Sequence, residues 1–432
     1  MIAADGPHAD DGDYVALAQR LVATGLVTDP WVDGQPRFAT APLRLSAGDA
    51  DVIAGVAEAI AGAFDEVARA VLRQPALLDD FFALTPVQKR LWHSSAPLWH
   101  GFARADVFLV DDGAAGPRAL VCELNADTPS GQAEAVLLGP AVGVPPARDP
   151  NRHLEAHTAQ LLRHFLAQVD RPSAAIPTVG IVYPTEIAGD FGLVRLYQRW
   201  CERLGWNVVL GSPFNLQPAP DGGVALFGQT CDLLLRHYKT DWWGERLPLW
   251  QDEDPFPDPD PLDDAIAMVL GAVAKRRCMV INPFGSVLLQ NKRAMAFLWE
   301  RRDSLSPAAR AAVEAHLPPT FRLEVMDPAQ LTEQQADWVL KSDYGCEGEE
   351  VLIGATTTAA VWQEALAQAR PQRFVVQRFF AARPGPALMD GRPSLVNHGV
   401  YLIAGQTAGI YARLAGAATD VTALSAAVEL VP

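Results

Sequence analysis

Two neighbouring segments carry carboxylate and amide side chains at every second position. The first, RADVFLV, begins at Arg104, and the second, ELNADTPSG, begins at Glu123. Because side chains alternate along a strand, Arg104 and Asp106 lie on one face of the first strand, and both can face the same side as Glu123 and Asn125 on the second. Two carboxylates and an amide offer the hard oxygen ligands that suit Mg²⁺, and arginine can clamp a carboxylate or phosphate in bidentate fashion. The pattern predicts a metal site; the alternative is a surface hairpin with its polar residues turned outward.

A second candidate is the segment VLKSDYGCEGEEVLIG, residues 339–354. Lys341 ends a strand here, and Gly345 and Gly348 bracket a tight turn before the next strand. Glycines let backbone N–H groups approach a polyphosphate, and a lysine supplies a point charge. The alternative is an ordinary hairpin turn, for which glycine is common.

Three further cations follow or begin regular elements. Lys292 lies in the first turn of a helix near Asn291, where it opposes the helix dipole unless an anion is nearby. Lys239 precedes two tryptophans, so it either grips a substrate carboxylate or stacks on Trp242. Arg413 ends a strand, where it either stabilises a transferred phosphoryl group or makes a surface ion pair.

The elements that position these residues alternate between strand and helix, which predicts an α/β (α+β) fold. Helical spacing covers residues 13–27, 50–74 and 191–204, and most of 137–169. Apolar strands are predicted at 178–184 and in NVVLG, CDLLLRHYK, RFVVQRFF and HGVYLIAGQTAGIYARL. The Pro-rich acidic stretch at 252–264 is typical of a surface linker.

Composition excludes several classes of protein. The chain has 432 residues, 49% hydrophobic and 20% charged, which is ordinary for a globular protein. A formal charge of −16 argues against nucleic acid as a partner, and no apolar run predicts a membrane span. The five cysteines form no CxxC pair, which favours a reducing, cytoplasmic location. His153, His157 and His164 lack the HExxH order, so we predict a solvated helix face there.

Taken in order, these segments resemble the synthetase domain of glutathionylspermidine synthase and trypanothione synthetase, a circularly permuted branch of the ATP-grasp ligases. The matching segments are RADVFLV, ELNADTPSGQAEA, YKTDWWGE, INPFGSVLLQNKRAM, VLKSDYGCEGEEVLIG, VVQRFF and AGQTAGIYARL. The resemblance implies an ATP-grasp-like, permuted fold with a pre-ATP-grasp α/β domain and a flexible glycine-loop lid. In familiar ATP-grasp chains the E-x-N pair comes near the C-terminus; here it precedes both lysines, as a permutation requires.

The resemblance also implies roles for individual residues. Asp106, Glu123 and Asn125 would hold metal, with two Mg²⁺ ions expected. Arg104 and Arg413 would be catalytic, Arg104 on the substrate carboxylate and Arg413 on the γ-phosphate. The residues that would bind ATP are Lys292, Lys341, Gly345, Gly348, Gln377 and Asn397. Those that would bind substrate are Arg104, Thr128, Lys239, Glu186 and Asp190, the last two as a loose match to the family's acidic pair for a polyamine.

The implied activity is ATP-dependent ligation of a carboxylate to an amine through an acyl phosphate. A peptide or amino acid would supply the acid, an amine or polyamine would be the second substrate, and neither nucleic acid nor membrane would be a partner. Two alternatives remain: a nucleotide-binding homologue without ligase activity, and a phosphotransferase. The 103 residues before Arg104 contain no cysteine, so the family's cysteine amidase is not expected.

Three regions are predicted along the chain. Residues 1–103 would be a mainly helical segment packed on the core, and residues 104–290 an α/β region with the metal-binding strands. Residues 291–432 would be the ATP-grasp region, with the lid at about 330–370. We expect a monomer or homodimer.

Overall fold

The computed structural model describes residues 11–95, 99–111, 117–172, 175–185, 188–244, 247–253, 262–345, 350–388, 391–416, 419–420 and 422–432. Helices and strands are mixed along the chain, which confirms the predicted α/β class. Among the described helices, none combines the length and apolar character that crossing a membrane requires.

The helices are α1 (Asp11–Ala23), α2 (Ala47–Arg73), α3 (Leu77–Asp80), α4 (Pro86–Ser95), α5 (Gln132–Ala141), α6 (Leu154–Leu166), α7 (Phe191–Arg203), α8 (Thr240–Trp243), α9 (Asp263–Ala274), α10 (Ser286–Gln290), α11 (Arg293–Glu300), α12 (Pro307–His316), α13 (Pro328–Glu333) and α14 (Ala359–Gln368). The first strands are β1 (Trp31–Val32), β2 (Gln35–Pro36), β3 (Leu43–Ser46), β4 (Phe102–Asp111), β5 (Pro117–Asn125), β6 (Thr178–Val182), β7 (Asn207–Gly211), β8 (Leu216–Pro218), β9 (Val224–Leu226) and β10 (Gln229–Cys231). The later strands are β11 (Leu233–Arg236), β12 (Met279–Ile281), β13 (Thr320–Arg322), β14 (Trp338–Ser342), β15 (Val351–Ile353), β16 (Phe374–Arg378), β17 (Pro384–Ala387), β18 (Pro393–Ile403), β19 (Gln406–Ala415), β20 (Leu424–Ala426) and β21 (Val428–Val431).

The central sheet is antiparallel, with the strand order β20-β19-β18-β4-β5 and with β17 added beside β18. It joins strands from both sides of residue 291, the boundary predicted between the second and third regions. The long helix α2 packs on this sheet through Phe64 and Val67, which are almost fully buried. The opposite face of β4 and β5 is therefore left for polar side chains. The three-region division itself stays a prediction.

A second sheet is parallel, with the order β12-β11-β6-β7. Its strands are short and apolar, as expected for a sheet buried on both faces. Helix α7 connects β6 to β7 and buries Leu193, Tyr197 and Trp200 against the sheet. His153, His157 and His164 are exposed and lie on α6 or at its start, which agrees with the predicted solvated helix face.

The third sheet has the order β13-β16-β14-β15 and is antiparallel. Strands β14 and β15 form the hairpin predicted around the glycine turn, with Val339 opposite Ile353. Residues 346–349, which include Gly348, lie outside the described residues, as does most of the acidic stretch at 252–264. The helix predicted to begin near Asn291 is α11, and the short helix α10 precedes it. The Asn291 side chain accepts a hydrogen bond from the N–H of Arg293 at 2.8 Å.

One buried side chain ties the parallel sheet to the central sheet. Asn282 follows β12 and is 2% exposed. Its Oδ1 accepts hydrogen bonds from the N–H groups of Gly101 and Phe102, both at 2.8 Å. Its Nδ2 donates to the carbonyls of Phe102 at 2.9 Å, Ala126 at 3.0 Å and Asp127 at 2.8 Å. The start of β4 and the turn after β5 are thus held by one amide.

We expect Asn282→Ala to lower the free energy of unfolding by about 3 kcal/mol, because it leaves several buried backbone groups without partners. Urea unfolding followed by circular dichroism measures this loss. The matched control is Asn207→Ala, at the exposed start of β7, which should change the free energy by no more than about 0.5 kcal/mol. Equal losses in the two variants would contradict the bridging role of Asn282.

Candidate active site

A cavity of about 870 Å³ opens between the central sheet and the third sheet. Its walls come from β4, β5, β14, β16, β18 and β19, from the turn after β5 and from the loop after β11. Most residues predicted to do chemistry line it: Arg104, Asp106, Glu123, Asn125, Thr128, Asp190, Lys239, Lys341, Gln377, Asn397 and Arg413. Distant parts of the sequence therefore converge on one space.

The strand register explains why polar side chains meet on one face. Asp106 lies opposite Glu123, and Arg104 lies opposite Asn125, in the β4–β5 pair. On the other side of β4, Asp106 lies opposite Gly399. A Cβ atom at Gly399 would come within 2.8 Å of Cδ of Arg104. Glycine at this position therefore leaves the space that the arginine side chain occupies.

Asp106 is the centre of the polar cluster and is 2% exposed. Its Oδ1 accepts from Nε of Arg104 at 2.7 Å. Its Oδ2 accepts from Nη2 of Arg413 and from Nδ2 of Asn397, each at 3.0 Å. Burial alone would raise the pKa of Asp106, but the Arg104 and Arg413 guanidinium groups lower it to about 2. The carboxylate is therefore charged and holds both arginines in place.

Glu123 links this cluster to the lysines. Its Oε1 accepts from Nδ2 of Asn125 at 3.0 Å, and its Oε2 lies 3.6 Å from Nζ of Lys292. Burial disfavours the charged form, yet Lys292 and Lys341 lower the pKa of Glu123. Glu123 is thus an ionised carboxylate at the cavity wall.

The residues predicted to bind ATP divide into two groups. Lys341 donates to Oε1 of Gln377 at 2.7 Å, and both line the cavity. Lys292 lies behind Glu123, off the cavity wall, and donates to the Gly345 carbonyl at 2.6 Å. The predicted pair of nucleotide-binding lysines therefore flanks Glu123 from two sides.

Lys239 and Asp190, which are also predicted to bind substrate, line the same cavity. Nζ of Lys239 sits 5.2 Å from the ring centroid of Trp242 and donates to the Tyr344 carbonyl at 3.2 Å. The stacking alternative considered for Lys239 is therefore present, and Lys239 still lines the cavity. Asp190 faces His237, and Glu186 lies outside the described residues.

Sequence reasoning missed Asp127 and His237. The Asp127 carboxylate is buried and contacts Nη2 of Arg236 at 2.5 Å and the hydroxyl of Thr240 at 2.7 Å. It thereby fixes the turn that carries Thr128 against the loop that carries Lys239. His237 lines the cavity two residues before Lys239. The available signal was this spacing, because residues two apart share a face of an extended segment.

The donor set fits a hard divalent cation. Among the described residues, no group of three or more His, Cys, Asp and Glu side chains converges. Asp106, Glu123 and Asn125 nevertheless bring two carboxylates and one amide oxygen onto one face, and Oδ1 of Asn397 is buried without a hydrogen-bond partner. Oxygen atoms of this kind are the ligands that Mg²⁺ prefers.

We expect Asp106→Asn to lower the free energy of unfolding at neutral pH by about 3 kcal/mol in magnesium-free buffer, because the buried Arg104 and the partly buried Arg413 lose their counter-charge. The folded pKa of about 2 lies below the ordinary value of 3.8. The contribution of Asp106 is therefore complete above about pH 4 and is lost as the pH falls towards 2. The difference between wild type and variant should shrink over that window.

Urea unfolding at several pH values measures this difference. Asp111→Asn is the control, because Asp111 ends the same strand and its side chain is 63% exposed beside Arg383. Its loss should be about 0.5 kcal/mol. A difference between wild type and Asp106→Asn that does not vary with pH would rule out the charged carboxylate as the centre of the cluster.

The chain matches a known family model over part of its length. Residues 259–426 match the family model described as glutathionylspermidine synthase preATP-grasp. These residues include Lys292, Lys341, Gln377, Asn397 and Arg413, whereas the strands of Asp106 and Glu123 precede them. A search of curated proteins gives no match.

One solved structure shares this fold, and a second aligns more weakly. A glutathione synthetase-like effector from Globodera pallida aligns with a TM-score of 0.60 at 10% identity, over 97% of this chain and 96% of that one. A protein from Methylobacillus flagellatus assigned as a gamma-glutamylcysteine synthetase aligns with a TM-score of 0.44 at 12% identity, over 80% and 82%. The second score is too low to establish a shared fold. The predicted resemblance to the glutathionylspermidine synthase family is confirmed over residues 259–426, and the chain shares its fold with the glutathione synthetase-like effector.

Proposed function

We propose that this chain is an ATP-dependent carboxylate–amine ligase that acts through an acyl phosphate. The observation that carries the proposal is the convergence of Arg104, Arg413 and Lys341 with two ionised carboxylates in one cavity. Phosphoryl transfer to a carboxylate brings several negative charges together, so it requires such a concentration of fixed cations. The matched family supports an ATP-dependent ligase in general.

The nucleotide would lie along the third sheet. Lys341 and Gln377 face the cavity from β14 and β16, and Asn397 faces it from β18. Lys292 would act through Glu123 and the Gly345 carbonyl, which it contacts from behind the cavity wall. In this proposal the phosphate groups would lie beside Glu123 and the adenine end beside Gln377.

The metal ligands would be Asp106, Glu123 and Asn125, with Asn397 near them. When bound, Mg²⁺ would neutralise the charge of the phosphate groups and fix the orientation of those groups. Two ions are expected from the resemblance. Asp106 already accepts hydrogen bonds from Arg104 and Arg413, so Glu123 and Asn125 are the more accessible ligands for a metal ion.

The acid would bind at the turn after β5. Arg104 donates to the Ser130 carbonyl at 3.0 Å and to Asp106, so its position is fixed before substrate arrives. Thr128 lies in the same turn, and Lys239 lines the same cavity. The protein would hold the carboxylate in line with the γ-phosphate, while Arg413 offsets the charge on the transferred group. Amine attack on the acyl carbon then releases phosphate.

The identity of the substrates rests on the resemblance alone. We propose a peptide or amino acid as the acid and an amine or polyamine as the nucleophile. Asp190 and Glu186 would attract a cationic amine, although Asp190 already faces His237. A cytoplasmic location and a monomer or homodimer complete the proposal.

An ADP-release assay tests the function. The enzyme is incubated with MgATP, a pool of amino acids and thiol peptides, and a pool of primary amines and polyamines. We expect ADP release that requires both pools. Glu123→Ala and Lys341→Ala should each lower the rate of ADP release by about 100-fold or more, where each tenfold in rate corresponds to about 1.36 kcal/mol of activation free energy. Circular dichroism confirms that the variants are folded.

The matched control is Lys89→Ala, because Lys89 lies outside the cavity and pairs with Asp79 at the surface. It should keep full activity. Retained turnover in both cavity variants contradicts the proposal. ATP binding without amine-dependent ADP release indicates a nucleotide-binding homologue, and phosphate found on the acid product indicates a phosphotransferase.

A further inference from the structure

His237 lies where the parallel sheet opens into the cavity. It follows β11, and its backbone N–H donates to the carbonyl of Val182 at 2.7 Å, which extends the pairing of β11 with β6. In open α/β sheets, ligands bind beyond the carboxyl ends of the strands. The imidazole is 6% exposed and lines the cavity together with Thr128 and Lys239. It is therefore a buried titratable group at the substrate end of the site.

Asp190 orients this imidazole. Its Oδ2 lies 3.2 Å from Nε2 of His237. Burial opposes the charged form of Asp190, but the hydrogen bond from His237 and the nearby Arg37 lower its pKa. Arg37 comes from the N-terminal segment and also pairs with Glu134 at the start of α5, at 2.9 Å. Lys239 is the cation on the loop of His237 itself.

The hydrogen bond selects a tautomer. A carboxylate is an acceptor only, so Nε2 of His237 must carry a proton to bond Asp190. In the neutral imidazole this leaves the lone pair on Nδ1 free to accept a proton. A carboxylate that orients an imidazole, with the imidazole next to the substrate, is the arrangement of a general base.

We propose that His237, oriented by Asp190, is the general base for the amine substrate. The inference rests on the proposed function. An amine reaches the site as an ammonium ion, which has no lone pair for attack. His237 takes one proton from it, the nitrogen lone pair forms the C–N bond, and the C–O bond to phosphate breaks. The second proton leaves with the phosphate, so atoms and charge balance.

The main alternative is that the pair only holds the start of α7 against the parallel sheet. A structural pair and a base differ in one measurable respect. Hydroxylamine is mostly unprotonated at neutral pH and captures acyl phosphates as hydroxamates without a base. Loss of a base should therefore spare hydroxamate formation, whereas loss of a structural contact should lower every reaction of the site alike.

The experiment compares wild type, His237→Gln and Asp190→Asn with MgATP and the pool of amino acids and thiol peptides. One arm contains hydroxylamine, and the other contains the pool of primary amines. We expect His237→Gln to lower amine-dependent ADP release by about 100-fold and to keep hydroxamate formation within about threefold of wild type. Asp190→Asn should shift the ratio of the two rates in the same direction by less. The control is His157→Gln, on the exposed side of α6, which should change neither.

Each other result overturns the inference. Equal losses in both arms assign the pair a structural role, and equal retention shows that no base is needed at His237. Absence of hydroxamate and of ADP release in wild type contradicts the proposed function itself and removes the basis for a base. The two failures are thus distinguishable by the wild-type hydroxylamine reaction.

Discussion

The pairing register of β4 with its two neighbours determines the composition of the whole site. With Asp106 opposite Glu123 and Gly399, one row across the central sheet holds two carboxylates and the gap that admits the Arg104 side chain. A slip of one residue would turn every one of these side chains towards α2 and the core. The apolar opposite face, packed on α2, therefore fixes the polar face indirectly. The charged cluster depends on hydrophobic packing on the other side of the sheet.

Two buried side chains then fix the central sheet relative to the parallel sheet. Asn282 bonds backbone groups at the start of β4 and after β5, and Asp127 joins the same turn to Arg236 and Thr240. Buried polar groups of this kind contribute little net stability, but breaking one leaves costly unpaired partners. Their effect is to specify geometry, because the substrate turn and the Lys239 loop cannot move independently.

The sequence predicted the polar face because alternation along a strand is a local property. It also predicted the β14–β15 hairpin and the exposed histidines of α6. It could not predict the irregular pairing beside Asp106, where Val107 lies opposite Val121 and Cys122 is the extra residue. It gave no sign that Lys292 would lie behind Glu123. Contacts such as His237 with Asp190 depend on how α7 meets the parallel sheet, which no local pattern encodes.

The N-terminal segment carried no recognisable motif, yet Trp31 and Arg37 line the cavity. Its contribution arises from tertiary packing, in which Arg37 reaches Glu134 on α5. Motif resemblance covers the charged centre of the site, whereas this wall comes from residues outside any matched segment. The wall that contains Trp31 and Arg37 is therefore the part of the cavity least constrained by the family resemblance.

Hydrogen exchange with and without a non-hydrolysable ATP analogue and Mg²⁺ tests the convergence of these segments most directly. If one nucleotide site is built from the central and third sheets, amide protection should increase together in residues 102–111, 117–125, 338–345 and 374–378. Protection should not change at the exposed histidines of α6. Protection confined to one of these segments, or found only elsewhere in the chain, would contradict a shared magnesium-nucleotide site.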